Sequence, residues 1–143
     1  MPTAYLIMGI RRKGRELAIQ ALYQIEITGD ASSRALESFL SHFEGNAQAK
    51  DFARRLVAGV LANRERIDRL IEGSAENWKL TRMAKVDLTI LRMATYEMLF
   101  CPDIPVNVSM DEAIEISKRF GSDESPNFIN GVLDQVAASG GVK

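Results

Sequence analysis

The sequence predicts an all-α protein of about seven helices joined by short links. Apolar residues recur three and four positions apart along most of the chain, which is the spacing of an amphipathic helix. No segment shows the alternation of apolar and polar residues that is typical of a β-strand. A chain of 143 residues, of which 46% are hydrophobic and 26% are charged, is long enough to bury a core as one globular domain.

A basic cluster marks the start of the first predicted helix, which covers residues 12 to 28. Its members are Arg11, Arg12, Lys13 and Arg15. At a helix start the backbone dipole already presents partial positive charge, so each cation there costs about 0.3 to 1 kcal/mol. Since stability alone would favour acids in this turn, the cluster indicates an anionic ligand, most simply phosphate. The alternative is a solvated basic helix end that binds nothing. Gly14, inside the cluster, is expected to weaken the helix by about 1 kcal/mol relative to alanine.

Two further helices are predicted over residues 33 to 43 and 48 to 72. The second carries charges of both signs at helical spacing, which is typical of a solvated face rather than a nucleic-acid surface. A short turn or helix is expected over residues 76 to 83. We expect a flexible tail over residues 1 to 10 and a frayed end over residues 139 to 143, with the folded domain between them.

The segment from Arg82 to Phe100 is apolar on nearly every side, which predicts a helix in the middle of the fold. Its few polar positions, among them Asp87 and Glu97, mark places that neighbouring helices leave uncovered or that a partner contacts. For these two residues, core packing and partner contact are both open.

The last two helices are predicted from their start signals. Ser109 and Glu112 have the spacing of a capping box, in which the two side chains satisfy free backbone amides at a helix start. Ser125 followed by Pro126 is a second favoured start, with the serine as cap and the proline in the first helical position.

The sequence argues against several classes of function. One cysteine, Cys101, and one histidine, His42, leave no soft-ligand metal cluster, and we find no glycine-rich phosphate loop or nucleophile elbow. No apolar run approaches the roughly 20 residues that span a bilayer. We therefore expect a cytoplasmic protein that is not an enzyme, has no metal or other cofactor and does not enter a membrane. The net charge of −1 gives no global attraction to nucleic acid.

Four runs of sequence between about Arg11 and Ala137 carry a resemblance to a known family. They are RRKGRELAIQALYQIE, LVAGVL, VDLTILRMATYEML and DIPVNVSMDEAIEISKRFGSDESPNFINGVLDQVA. They resemble NusB, the family of bacterial transcription antitermination factors. The resemblance implies two small helical bundles packed side by side. It also implies binding of single-stranded boxA RNA from ribosomal RNA leaders together with NusE, a ribosomal small-subunit protein. The implied complex helps RNA polymerase read through terminators and assists ribosomal RNA maturation.

The resemblance also implies roles for individual positions. Residues expected to contact RNA are Arg11, Arg12, Lys13, Arg15, Phe128 and Asn130. Residues expected to contact NusE are Tyr23, Asp87 and Glu97. For Phe128, stacking on a base and packing in the core are both open. Four cations at phosphates predict that log affinity falls by roughly 2 to 3 per decade of salt, at about 0.7 per single-strand contact.

Two other functions remain open at this point. The chain is alternatively a protein-interaction adaptor or homodimer whose basic cluster is inert. It is also similar to the NusB-like RNA-binding domain of ribosomal RNA cytosine methyltransferases, although 143 residues leave no room for a catalytic domain. Charge reversal in the basic cluster separates RNA binding from adaptor function, because only the former depends on those cations.

Overall fold

The computed structural model describes residues 3–76 and 78–139, which form seven α-helices and one short 3-10 helix. No strand occurs in these two ranges, so the predicted all-α class is confirmed. The helices are α1 (Thr3–Thr28), α2 (Ser33–Ser41), α3 (Ala47–Ala62), α4 (Arg64–Ser74), α5 (Lys85–Phe100), α6 (Val106–Phe120) and α7 (Ser125–Ala138), with the 3-10 helix Leu80–Arg82 preceding α5.

The chain forms two compact units, which agrees with the expectation of two helical groups. The first unit spans residues 1–61 and contains α1, α2 and nearly all of α3. The second unit spans residues 62–143 and contains α4 to α7.

In the first unit, Gly14 lets α1 approach α3 closely. A Cβ atom at Gly14 would lie 2.8 Å from the carbonyl oxygen of Ala49 and 2.9 Å from Cδ2 of Phe52. Gly14 weakens α1, as expected, but the packing of α1 on α3 requires it. Only glycine leaves room for the facing backbone of α3.

An ion pair links α2 to α3 in the same unit. The Arg54 guanidinium donates to both carboxylate oxygens of Glu37, at 2.7 and 2.8 Å, and to Asp51 at 2.6 Å. The hydrogen bonds from Arg54 hold the pKa of Glu37 below its ordinary value, since they favour the charged carboxylate.

In the second unit, α5 is the central helix and packs against α4, α6 and α7. Most of its residues are buried, including Leu91, Met93 and Met98. Arg92 is also buried and donates to Asp68 of α4 at 2.8 and 3.1 Å. The prediction of a helix apolar on nearly every side is confirmed, and it begins at Lys85 rather than Arg82.

Two predicted helix boundaries are wrong. The first helix begins at Thr3 rather than residue 12, so residues 3–10, expected to belong to a flexible tail, are helical. Residues 48 to 72 form two helices instead of one, because the helix is interrupted at Asn63. Asparagine has low helix propensity, since its side chain competes for backbone hydrogen bonds. Residues 1, 2 and 140–143, which belong to the two expected tails, lie outside the described residues.

Both predicted helix caps are also wrong. Pro105, not Ser109, occupies the N-cap of α6, and the Ser109 hydroxyl donates to Glu97 at 2.9 Å. Glu124 occupies the N-cap of α7, so Ser125 is its first helical residue. In both cases the serine hydroxyl donates a hydrogen bond to a residue of α5, which the local spacing does not predict.

Within the described part of the chain, no helix is both long enough and apolar enough to cross a bilayer.

Candidate nucleic-acid interface

The basic cluster lies in the interior of α1, well beyond its first turn. Because α1 begins at Thr3, Arg11 and the cations after it are outside the region where the helix dipole acts. The predicted conflict between these cations and the dipole is therefore wrong. Another feature must explain the positions of Arg11 and Arg15.

That feature is the buried ring of Phe52 on α3. The guanidinium carbons of Arg11 and Arg15 lie 5.2 and 5.4 Å from its ring centroid, and that of Arg55 lies at 5.9 Å. The face of an aromatic ring attracts cations, and arginine stacks on it through its planar group. One phenylalanine thus gathers three guanidinium groups from two helices, and we call these four residues the Phe52 cluster.

Exposure divides the cations of α1. Arg12 and Lys13 are exposed, and Arg11 is half-buried. Arg15 is only 2% exposed, because it lies one helical turn after Arg11 on the same face and is covered there. The structure therefore corrects the expectation for Arg15, because its side chain lies in the interior and does not reach a ligand at the surface.

Phe52 and Arg55 were missed as site residues. The mixed charges of their helix indicated a solvated face, yet half-buried Arg55 lies over the ring. Two features of the sequence are consistent with a ring between these cations. Phe52 and Arg55 are three positions apart and so share one helix face. Gly14 interrupts the basic run at the position where α1 contacts Phe52.

A cavity of about 280 Å³ in the second unit is lined in part by Phe128, the aromatic residue that was expected to contact RNA. The Phe128 ring meets Trp78 edge-on, with 5.7 Å between the ring centroids. Trp78 is 49% exposed and was not identified as a site residue from the sequence. Arg82, Asp87 and Glu124 also line the cavity. Asn130 lies on α7 with an exposed side chain and is not part of this lining.

Asp87 is held in the cavity wall by a hydrogen bond from α7. The Ser125 hydroxyl, which is 1% exposed, donates to Oδ1 of Asp87 at 2.6 Å and accepts from the backbone amide of Ser122 at 2.9 Å. A Cβ at Gly121 would lie 2.5 Å from the Ser125 oxygen, so this turn requires glycine. Asp87 is 9% exposed, and its contact with a protein partner stays a prediction.

The structure corrects the expectation for Glu97 as a partner contact. Its side chain is fully buried and accepts the hydrogen bond from Ser109, so no partner reaches it at the surface. Tyr23 is 38% exposed on α1, and Ile27, one turn later, is 57% exposed. These two residues form an apolar surface patch on α1 that a partner can reach.

Comparison with known proteins identifies the family. The model of the NusB family matches residues 12–138. The chain belongs to the NusB family. The transcription antitermination protein NusB of Geobacter sulfurreducens is 51% identical over 133 residues, which cover 92% of this chain and 96% of that protein. The NusB of Myxococcus xanthus is 47% identical over 136 residues, covering 92% of this chain and 97% of its own.

Solved NusB structures share the fold. T. maritima NusB is 41% identical, covers 90% of each chain and superposes with a TM-score of 0.80. A 20% identical NusB, in a crystal structure of the antitermination factors NusB and NusE in complex with dsRNA, superposes with a TM-score of 0.81 and covers 92% of this chain and 98% of that one.

The NusB fold distributes the candidate residues over the two units. Arg11 and Arg15 come together in the first unit, where Arg55 joins them. Phe128 and Asp87 come together in the second unit, where they line one cavity. The first unit thus has a cationic surface, and the second unit has a cavity with an aromatic wall.

Proposed function

We propose that this chain is a transcription antitermination factor that binds single-stranded boxA RNA of ribosomal RNA leaders together with NusE. In this role it joins the antitermination complex of RNA polymerase, helps transcription of ribosomal RNA operons continue through terminators, and assists ribosomal RNA maturation. Relatives about half identical in sequence over nearly their whole length bear the name transcription antitermination protein NusB, which supports the proposal.

The Phe52 cluster is the observation that carries RNA binding. Three guanidinium groups converge on one ring, and exposed Arg12 and Lys13 stand on the same helix. Arginine can bind phosphate through two parallel N–H donors, and a single strand brings several phosphates in a row. Only a few cations take part, so we expect modest affinity from this chain alone.

We propose that NusE raises this affinity by adding surface to the complex. The exposed pair Tyr23 and Ile27 is suited to a protein partner, because tyrosine combines a large apolar ring with a polar tip. The crystal structure of a NusB of the same fold with NusE and dsRNA is consistent with a joint role of the two proteins.

The test is a titration of labelled boxA RNA with and without purified NusE. We expect charge reversal at Arg11, Arg12 and Lys13 to abolish RNA binding while NusE binding, measured by calorimetry, is kept. Reversal of exposed Arg34, Arg69 and Lys118 changes the net charge equally, so it is the matched control and should leave RNA affinity unchanged. Tyr23→Ala should weaken NusE binding and remove its effect on RNA affinity. Unchanged RNA affinity after the first reversal would refute the proposal.

An adaptor without RNA binding is the second candidate, favoured by the exposed patch of Tyr23 and Ile27. It requires that NusE bind this chain and that boxA RNA bind the pair no better than it binds NusE alone. The same titration therefore separates the two functions.

A further inference from the structure

In the second unit, an arginine of α4 lies over an aromatic ring at the far end of α5. The guanidinium carbon of Arg66 is 5.3 Å from the ring centroid of Phe100. The Phe100 ring stacks in turn on Tyr96, with 5.5 Å between the centroids and 25° between the ring planes. We call these three residues the Phe100 stack. Phe100 is the last residue of α5, so the stack lies about 20 Å along this helix from Asp87 and is separate from the cavity described above.

The sequence around Arg66 provides no acidic partner for it. Helical neighbours lie three and four positions apart, and those of Arg66 are Ala62, Asn63, Arg69 and Leu70. In the part of the chain that the structure describes, Arg66 makes its contact with the Phe100 ring and no ion pair. A ring attracts the guanidinium through its face and does not occupy the N–H donors as a carboxylate would.

The carboxylates on the neighbouring helices are already engaged. Asp68 of α4 accepts two hydrogen bonds from Arg92, at 2.8 and 3.1 Å. Glu97 of α5 is fully buried. Arg66 itself is exposed, so its donors are open to an anion from outside the chain.

We propose that the Phe100 stack binds one unpaired nucleotide of leader RNA outside boxA. Arg66 donates to the phosphate, and the base stacks on the parts of the two half-buried rings, Tyr96 and Phe100, that remain exposed. Aromatic rings and guanidinium planes stack on every base, so this contact tolerates any sequence. The inference rests on the RNA-binding function proposed above and adds a contact in the second unit to the cations of α1.

An acidic segment of a protein is the competing ligand, because a carboxylate also pairs with a guanidinium. Such a segment would use the cation and leave the exposed parts of the two rings uncovered. A nucleotide brings a phosphate and a flat apolar base together, so it matches both the cation and the rings of the stack.

The experiment compares RNAs that differ only outside boxA. The full-length protein is titrated with labelled boxA RNA alone, with boxA flanked on each side by unpaired adenylates, and with boxA flanked by abasic ribose-phosphate. We expect the adenylate flanks to raise the affinity about fivefold, which is the lower end of what one stacked base contributes. The abasic flanks should give less than half of this gain, because they supply phosphates without bases.

A matched pair of variants on α4 tests the role of the stack. Arg66→Ala should reduce the gain from the adenylate flanks to about twofold or less and leave the affinity for boxA alone unchanged. Arg69→Ala removes the same charge from an exposed residue of the same helix, for which the described structure shows no ring contact, and should keep the fivefold gain. Thermal melts of both variants check that the fold is retained.

The outcomes separate this inference from the proposed function. Equal affinity for boxA with and without adenylate flanks overturns the second contact and leaves boxA binding intact, whereas failure of every RNA to bind overturns both. Equal loss of the gain in the two variants also overturns the inference, because the effect is then one of net charge. Abasic flanks that give the full gain overturn it as well, since no base is then bound. Binding of labelled oligoglutamate that Arg66→Ala weakens, with no gain from the adenylate flanks, identifies a protein site instead.

Discussion

Replacing Arg12 and Lys13 by alanine should make RNA binding far less sensitive to salt. Both side chains are exposed on α1, whereas Arg15 is covered, so the structure leaves Arg11, Arg12 and Lys13 as the cations of α1 that can reach phosphate. At about 0.7 per single-strand contact, these three predict a slope of about −2.1 for log affinity against log salt. The double variant keeps one contact and should show a slope of about −0.7.

These slopes translate into a large difference between two salt concentrations. Between about 50 and 200 mM salt, the wild type should lose about 18-fold in affinity and the double variant only about 2.6-fold. The assay is fluorescence anisotropy of labelled boxA RNA at several potassium chloride concentrations, with affinities fitted at each.

Arg34→Ala with Arg69→Ala is the matched control, because it removes two exposed cations outside the Phe52 cluster and changes the net charge equally. The control should keep the wild-type slope. If the Arg12 and Lys13 variant also keeps it, these residues do not touch phosphate and the assignment of the RNA surface to α1 fails. If both variants lower the slope alike, the effect is one of net charge alone.

Three further predictions concern stability. Gly14→Ala should destabilise the fold by about 1 to 3 kcal/mol in urea denaturation, because the new Cβ meets the Ala49 carbonyl at 2.8 Å; stabilisation by about 1 kcal/mol would contradict the close approach. Ser109→Ala removes a donor to buried Glu97 and should cost about 1 to 3 kcal/mol in the same assay, while an effect near zero would argue against that hydrogen bond. Because Arg54 lowers the pKa of Glu37, this carboxylate stabilises the fold above its ordinary pKa of 4.5, and the contribution disappears as pH falls through the lower value of the folded state. Glu37→Gln should therefore flatten the acid side of the stability profile, and exposed Glu44→Gln should leave it unchanged.

Periodicity predicted the helices well because it reflects burial, which is what the fold selects. The apolar surface of the segment around Leu91 and Met98 placed α5 in the core correctly. Helix starts were predicted poorly, because a start depends on tertiary partners as well as on local spacing. Ser109 and Ser125 have the composition of caps, yet each donates to a buried carboxylate on α5, 12 and 38 positions away in sequence.

The same limit explains what was predicted about the binding surface. The cations of α1 were found because they lie within one stretch of five residues, 11 to 15. The ring that gathers two of them, Arg11 and Arg15, was not found, because nothing local relates residue 52 to residue 11. The start of α1 could not be read either, since residues 3–10 continue the helix to Arg11 with no proline among them. Because α1 starts at Thr3, the helix dipole does not act on these cations. The contact with Phe52 accounts for the positions of Arg11 and Arg15 instead.

The stacking of arginine on the Phe52 ring leads to a further prediction, because stacking depends on the shape of the cation and not only on its charge. A guanidinium lying over a ring is held in place before phosphate arrives, so less side-chain freedom is lost on binding. Lysine keeps the charge but stacks less well, so each replaced side chain must be ordered when phosphate binds, at a cost of about 0.5 to 1 kcal/mol. Arg11→Lys combined with Arg55→Lys should therefore weaken boxA binding by about 5- to 30-fold while the salt slope is kept.

Arg12→Lys is the control for this double variant, because Arg12 is exposed and points away from the face that Arg11 and Arg15 share. Its affinity should stay within about twofold of the wild type, as expected where only charge matters. If the Arg11 and Arg55 variant binds as tightly as the wild type at every salt concentration, the cations act only through their charge. The Phe52 ring would then serve packing alone, and a run of lysines in α1 would be an equally good RNA-binding segment.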